Sequence, residues 1–478
     1  MTSDRKRLIK IALEEDRAIR RSEEVEHEPA VAVFDLLAEN VFDLVAAAAG
    51  PYCLLIGIRE SRLVLDIRDG DENPIEEIIL PLFLLRSLIR DDFKVCDAYY
   101  EAIKTASPSR IEAIDMGREL FDWEEKIARS GQLNGTKRTG IGVGVSPYTA
   151  GSRGFDGLLV IRPDGIVQIQ QGLGNLGTNS IFDTARAAAD VLGVEWSQVE
   201  VVWGDTSRHL PWSSVQAGSQ SAHAHTRANH AAGLQAKEKL QAIAAMDLGG
   251  QPGDYDTADG RVFRRSNPSR GMTLGQAATR AIALGGRYSG AEFDDDLNDM
   301  TKASVAALAG QGLVAAARDT FGGEGGLQSW VVGFAEVELD IETGRVDIVH
   351  FTAVTDCGVV LHPRGLGGQV FGGAFQGMGM AMSQKWVFDP VWGVTFAKRL
   401  YTARPPGILD VPTDVQWAAV ELPDPQTPVG AKGIGEPCVG AGSAALTSAI
   451  SDAMEGTCLC RTPLTPDVLL AELEGREP

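Results

Sequence analysis

Apolar and polar positions divide the chain into helical and extended stretches punctuated by glycine. Within residues 25–49, Val33, Leu36, Leu37, Val41 and Leu44 fall on one helical face, and Gly50-Pro51 ends the pattern. The stretch 53–69 has apolar runs on either side of Arg59–Arg62 and predicts a hairpin. Residues 78–105 predict helix, broken near Asp91-Asp92.

Beyond residue 118 the character changes. Residues 120–140 predict a charged helix leading to a turn, and 140–154 is glycine-dense. The run 158–170 alternates and turns at Pro163-Asp164-Gly165, which predicts a hairpin. A helix over 181–193, a strand over 199–205 and an alanine-rich helix over 219–246 follow. Residues 247–300 are loop-rich, with a strand at 261–265 and a helix at 274–284. A second hairpin over 330–358 turns at Glu342-Thr343-Gly344, ahead of a glycine-rich helix at 365–385 and a final helix at 441–456. Hairpin, glycine loop and helix thus repeat, which implies an α+β fold with mixed sheets. A small N-terminal α+β domain precedes it. The expected division is 1–118, 119–470 and a tail at 471–478.

Composition sharpens that division. Only four of the 54 glycines precede residue 118. A net charge of −21 argues against nucleic-acid partners. No apolar run approaches the ~18 residues of a spanning helix, and IILPLFLLRSLI is interrupted by Arg86. The first residues lack the apolar core of a secretory signal, so a cytoplasmic location is expected, with no membrane partner. The six cysteines contain no C-x2-C pair, so neither a disulfide framework nor a zinc or iron–sulfur site is indicated.

Four glycine-rich elements carry the candidate chemistry: GLGNLGTNS (172–180), QAGSQSAH (216–223), GLGGQVFGGAFQGMG (365–379) and GAKGIGEPCVGAG (430–442). Each alone fits a tight helix–strand contact. Together they fit a large bound ligand approached closely by backbone. GIGVGV (140–145) is not a dinucleotide fingerprint, and neither a P-loop nor a G-x-S-x-G elbow occurs. Glu436 is flanked by small or apolar residues in Gly433-Ile434-Gly435-Glu436-Pro437. Two readings stand side by side: a desolvated general base, or a carboxylate favoured by a helix dipole. His223, His225 and His230 invite a metal reading, but 223 and 225 point to opposite helix sides, which favours packing. Asp205-Thr206 suits a turn or a ligand contact equally.

The order of these motifs resembles the molybdenum hydroxylases, which include xanthine dehydrogenase and aldehyde oxidase. The resemblance covers about 119–470 and is carried by GLGNLGTNS, VEVVWGDTSRHLPWSSVQAGSQS, GVVLHPRGLGGQVFGGAFQGMGMAM, PVGAKGIGEPCVGAG and PLTPDVLL. It matches the second, C-terminal molybdopterin-binding domain of the large subunit. It implies a molybdenum–molybdopterin cofactor, a pterin cytosine dinucleotide form included, and oxidative hydroxylation of an aldehyde or N-heterocycle. Glu436 matches the family's glutamate base and Gln369 a glutamine near the pterin. Gly218, Ser219, Gln220 and Ser221 match a cofactor loop, and Gly433 and Gly435, beside the base, are expected to bind the cofactor as well. Gly174-Asn175 stands where a Gly-Gln pair is frequent. The implied partners are iron–sulfur and FAD-carrying flavin subunits, plus a chain supplying the first molybdopterin domain, which is not recognisable here. The alternative is a non-catalytic fusion or fragment acting as a binding or scaffold protein. Residues 1–118 resemble an uncharacterised family of small bacterial proteins through VEHEPAVAVFDLLAEN, RLVLDI and YYEAIKTASPSRIEAIDMGR.

Overall fold

The computed structural model describes residues 108–323, 328–401, 403–459 and 461–475, and the backbone of three strands before them. Those strands, β1 (Cys53–Arg59), β2 (Arg62–Arg68) and β3 (Pro74–Pro81), form an antiparallel meander. β1 and β2 are the hairpin that the pattern predicts. β3 corrects the helix expected from residue 78. Its stretch holds the β-branched Ile75, Ile78 and Ile79, and the register Leu65↔Ile78 pairs it to β2. The remainder of 78–105, and the helix expected at 25–49, lie outside the described residues.

Helix α1 (Pro108–Leu120) runs past residue 118, and the short α2 (Trp123–Ile127) follows. A two-residue strand β4 (Leu133–Asn134) leads into β5 (Lys137–Thr149). Beyond them lies a four-stranded sheet built on β6 (Asp156–Ile161) and β7 (Val167–Gln170). Their turn has Gly165 at φ +86°, the left-handed conformation that glycine adopts freely. Helix α3 (Ser180–Leu192) then crosses over to β8 (Val199–Val202), which lies parallel to β7. The long α4 (Ser221–Leu248) buries Ala232, Ala236, Leu240 and Ile243 at helical spacing against Leu159, Ile161 and Ile169. A three-stranded sheet, β9 (Tyr255–Ala258), β10 (Arg261–Arg264) and β11 (Asn267–Thr273), precedes α5 (Leu274–Leu284). Helix α6 (Asp299–Leu308) leads to β12 (Leu313–Arg318), which completes the four-stranded order β12-β6-β7-β8.

The second sheet has five strands in the order β15-β14-β13-β5-β4. Its centre is the predicted hairpin, β13 (Gln328–Asp340) with β14 (Val346–Asp356), and β15 (Asp414–Val420) joins parallel to β14. Helices α7 (Pro363–Met382) and α8 (Glu436–Ala453) cover one face. Residues 140–149 of the glycine-dense stretch are part of β5. Gly140, Gly142 and Gly144 alternate towards α8, and a Cβ there would lie 2.1, 2.2 and 2.4 Å from backbone atoms of Ala449 and Ala445. The glycines let the helix lie directly on the strand. On the opposite face, Ala113 and Phe121 pack against Val332, Phe334, Val354 and Val420. There Lys126 and Glu336 form a buried ion pair at 3.0 Å. The last helix is α9 (Pro466–Leu473), so the expected final helix is the penultimate one and starts at residue 436 rather than 441. Among the described residues no helix is long and apolar enough to cross a membrane.

Candidate active site

A cavity of about 830 Å³ opens where α7, the loop before α8 and the loops preceding α3 and α4 meet. Ser219, Ser221, Gln369, Gly433, Gly435 and Glu436 all line it. These residues come from three distant stretches of sequence, and the fold brings them onto one wall.

Glu436 is half-buried and opens α8, and its N–H donates to Ser219 Oγ at 2.9 Å. The backbone at Ser219 is left-handed, φ +52°, directly after Gly218 at +64°. Gly433 and Gly435 are small because Ser219 occupies the space beside them. A Cβ at 433 would lie 1.5 Å from the Ser219 carbonyl oxygen, and one at 435 would lie 2.9 Å from its Oγ. The same point beside Gly435 lies 3.2 Å from Gln369 Oε1.

Gly174, Asn175, Gly218 and Gln220 do not line the cavity wall. Asn175 Oδ1 instead accepts from Gly177 N (2.9 Å) and Asn179 N (3.2 Å), so it shapes its own loop. Gln220 donates to the Val215 carbonyl at 3.2 Å. A residue that the sequence reading did not single out ties the two loops together. Gln216 Nε2 donates to Thr178 Oγ1 (2.8 Å) and Ser180 Oγ (3.0 Å), and its Oε1 accepts from Leu176 N. Its place in QAGSQSAH was the available signal.

Helix α7 supplies the floor. His362 caps it, with Nδ1 accepting from Gly365 N at 2.8 Å. Gly368 and Gly372 lie one turn apart on the cavity side, and a Cβ at either would meet no atom within 4 Å. That bare stripe suits a broad, flat ligand pressed against the helix, and Gln369 and Gln376 beside it offer amide groups for heterocycle edges. The residues present therefore fit a pterin-sized group.

Several further polar groups at or near the cavity are engaged within the protein. Lys432 Nζ lies 2.9 Å from Asp356 and 3.8 Å from Asp424, so its charge is balanced within the wall. Burial raises the Asp183 carboxyl above its ordinary value, partly offset by His362 and Arg186. Burial also pushes the Cys357 thiol to about 11 and Cys438 to about 12. Both stay protonated at neutral pH, which rules against a thiolate nucleophile. The histidines of α4 are packing groups. His223 Nδ1 meets Ser152 O at 2.9 Å, His225 Nε2 meets Ser214 Oγ at 3.0 Å, and His230 stands edge-on to Phe321. Asp205 closes a turn by accepting from Ser207 N and Oγ. Among the described residues no cluster of three metal-ligating side chains occurs.

Residues 116–412 match the family described as molybdopterin cofactor-binding domain. The chain belongs to this family. The match ends before Glu436, so the place of Glu436 in this molybdopterin-binding chain rests on the cavity geometry. Residues 5–134 match the uncharacterised family UPF0262. A UPF0262 protein of Paramagnetospirillum magneticum is 49% identical over 114 residues, 24% of this chain and 73% of that protein. One from Nitrobacter hamburgensis is 41% identical over 134 residues, 28% of this chain and 82% of that protein. The N-terminal part of this molybdopterin-binding chain therefore belongs to that family too. Three solved structures share the fold of the larger part. Quinoline 2-oxidoreductase from Pseudomonas putida 86 matches with TM-score 0.64 and 24% identity, over 77% of this chain and 46% of that one. A Cu,Mo-CO dehydrogenase matches with 0.58 and 23%, over 77% and 44%. The aldehyde oxidoreductase of Desulfovibrio gigas matches with 0.53 and 20%, over 76% and 35%. The chain thus spans less than half the length of each.

Proposed function

We propose that this chain is the molybdopterin-binding part of a molybdenum hydroxylase, completed by a partner chain. One observation carries the reading: Ser219, Gln369, Gly433, Gly435 and Glu436 converge on one cavity beside the bare Gly368–Gly372 stripe. When bound, a molybdenum–molybdopterin group, in its plain or cytosine dinucleotide form, supplies two-electron redox chemistry. The chain's own residues do the rest. The α7 stripe, Gln369 and the 218–221 loop hold the heterocycle, with Gly174 and Asn175 shaping the loop at the rim. Glu436 takes up the proton released when an aldehyde or N-heterocycle is hydroxylated. The left-handed turn at Ser219 and the small residues beside it keep that carboxylate at the cavity edge.

The open cavity and the short span relative to the solved structures support the partner. It would supply the first molybdopterin domain, while iron–sulfur and flavin subunits would carry electrons away. The assembly is proposed to be cytoplasmic and heteromeric, with residues 1–118 as a fused domain whose closing helix α1 packs on the larger part, and with a tail that begins only after α9 rather than at 471. The same short span favours a second reading, a non-catalytic fusion that binds partners without turnover. Purifying the chain with and without co-expressed partner chains and measuring molybdenum per polypeptide separates the two. Stoichiometric metal only with a partner is expected. Absence of metal in both preparations would reject the enzyme.

A further inference from the structure

We infer that Ser219 is a positioning residue for Glu436, an inference that rests on the proposed role of Glu436 as base. Helix α8 starts at Glu436. The first four amides of a helix have no intrahelical acceptor, and such ends are usually capped by the side chain just before them. Here the preceding residue is Gly435, which has no side chain to offer. Ser219 Oγ, 217 residues away in sequence, instead satisfies the first of these amides, accepting from Glu436 N at 2.9 Å.

The contact has a visible cost. Ser219 sits at φ +52°, a conformation that costs a non-glycine residue on the order of 1 kcal/mol. A glycine there would remove that cost, but also the hydroxyl. The base loop is shaped around the serine at two points, since Cβ atoms at 433 and 435 would both strike it. A hydroxyl that accepts from Glu436 N still has its own proton to donate, and Ser219 lines the cavity. One side chain therefore faces the ligand space and fixes the first residue of the helix that carries the base. The residue that carries the carboxylate is thus held, through its backbone amide, by a side chain at the cavity.

Amide hydrogen exchange on the full chain, without cofactor, tests this. Protection at the Glu436 amide should fall about tenfold in Ser219→Ala, the loss of one hydrogen bond. Ser219→Gly relieves the left-handed backbone, yet should lose the same protection, which separates the hydroxyl from the strain. Amides deeper in α8, such as Leu446, should not change in either variant. Unaltered exchange at Glu436 in both variants overturns the inference, and so does a uniform rise along α8. In a molybdenum-loaded complex, Ser219→Ala should lower kcat per bound molybdenum about tenfold at unchanged KM. Unchanged kcat there removes the positioning role. If no preparation loads molybdenum, the proposed function fails, while the exchange result still decides whether Ser219 holds Glu436.

Discussion

Strand β5 and helix α7 are both glycine-rich, and the β5 glycines serve the opposite end from two on α7, whose Gly367, Gly373 and Gly377 instead pack closely against protein. On β5, Gly140, Gly142 and Gly144 face a helix so close that any side chain would strike backbone. On α7, Gly368 and Gly372 face open space. One set is emptied by protein and the other is left empty. The lesson is that glycine density marks close approach without saying what approaches. The answer lies in what the missing Cβ would touch.

That contrast can be broken or sharpened by substitution. The largest effect is expected at the cavity's acid. Glu436→Gln should abolish turnover in a loaded complex, a loss of at least ~100-fold, with molybdenum retained. Steady-state rates paired with metal analysis check it, and wild-type turnover would reject the base. Next comes packing on β5. Gly142→Ala puts a methyl 2.2 Å from Ala449 N and should destabilise the chain by about 3 kcal/mol in urea denaturation. An unchanged midpoint would mean that α8 can shift away from the strand.

A third prediction concerns a residue close to the site but assigned to packing. Burial lowers His225 from 6.5 to about 4 in the folded chain. The unfolded chain then binds the proton more readily, so stability is full above pH 6.5 and falls as pH drops towards 4. Between pH 7 and pH 5 the loss should be about 2 kcal/mol, and it should be absent from the pH dependence of His225→Gln. Equal pH dependence in the two proteins would show that His225 is not buried neutral. The smallest effect, with the opposite sign, belongs to α7. Gly372→Ala should stabilise the cofactor-free chain by up to ~1 kcal/mol, because alanine favours helix and the site is open. It should also reduce molybdenum loading. A destabilised chain would place Gly372 with the packing glycines of β5.

Local pattern was most readable where a local cause acts. The predicted helix at 274–284 coincides with Leu274–Leu284, whose Thr273–Gln276 capping box lies in adjacent sequence. The hairpin at Pro163-Asp164-Gly165 turns on a glycine in the conformation that the turn needs. What was misread or left unassigned has a distant cause. Helix α8 begins five residues earlier than predicted, and its first amide is held by Ser219 rather than by a neighbour. Residues 140–149 are strand despite their glycines, because α8 needs a surface without side chains. Gln216 ties two loops that are neighbours only in space. Of the candidate site residues, Glu436, Gln369, Ser219, Ser221, Gly433 and Gly435 meet at the cavity, whereas Asn175 and Gln220 turn back to their own loops.

Sequence alone determined the hairpins, the helices with local caps, the change of character near residue 118 and the order of the glycine motifs. Each of these depends on backbone preference or periodicity over a few residues. Tertiary structure alone decided which glycines serve packing and which leave room for a ligand, and that Ser219 faces Glu436. Those outcomes depend on contacts between distant segments, whose geometry exists only once the chain has folded.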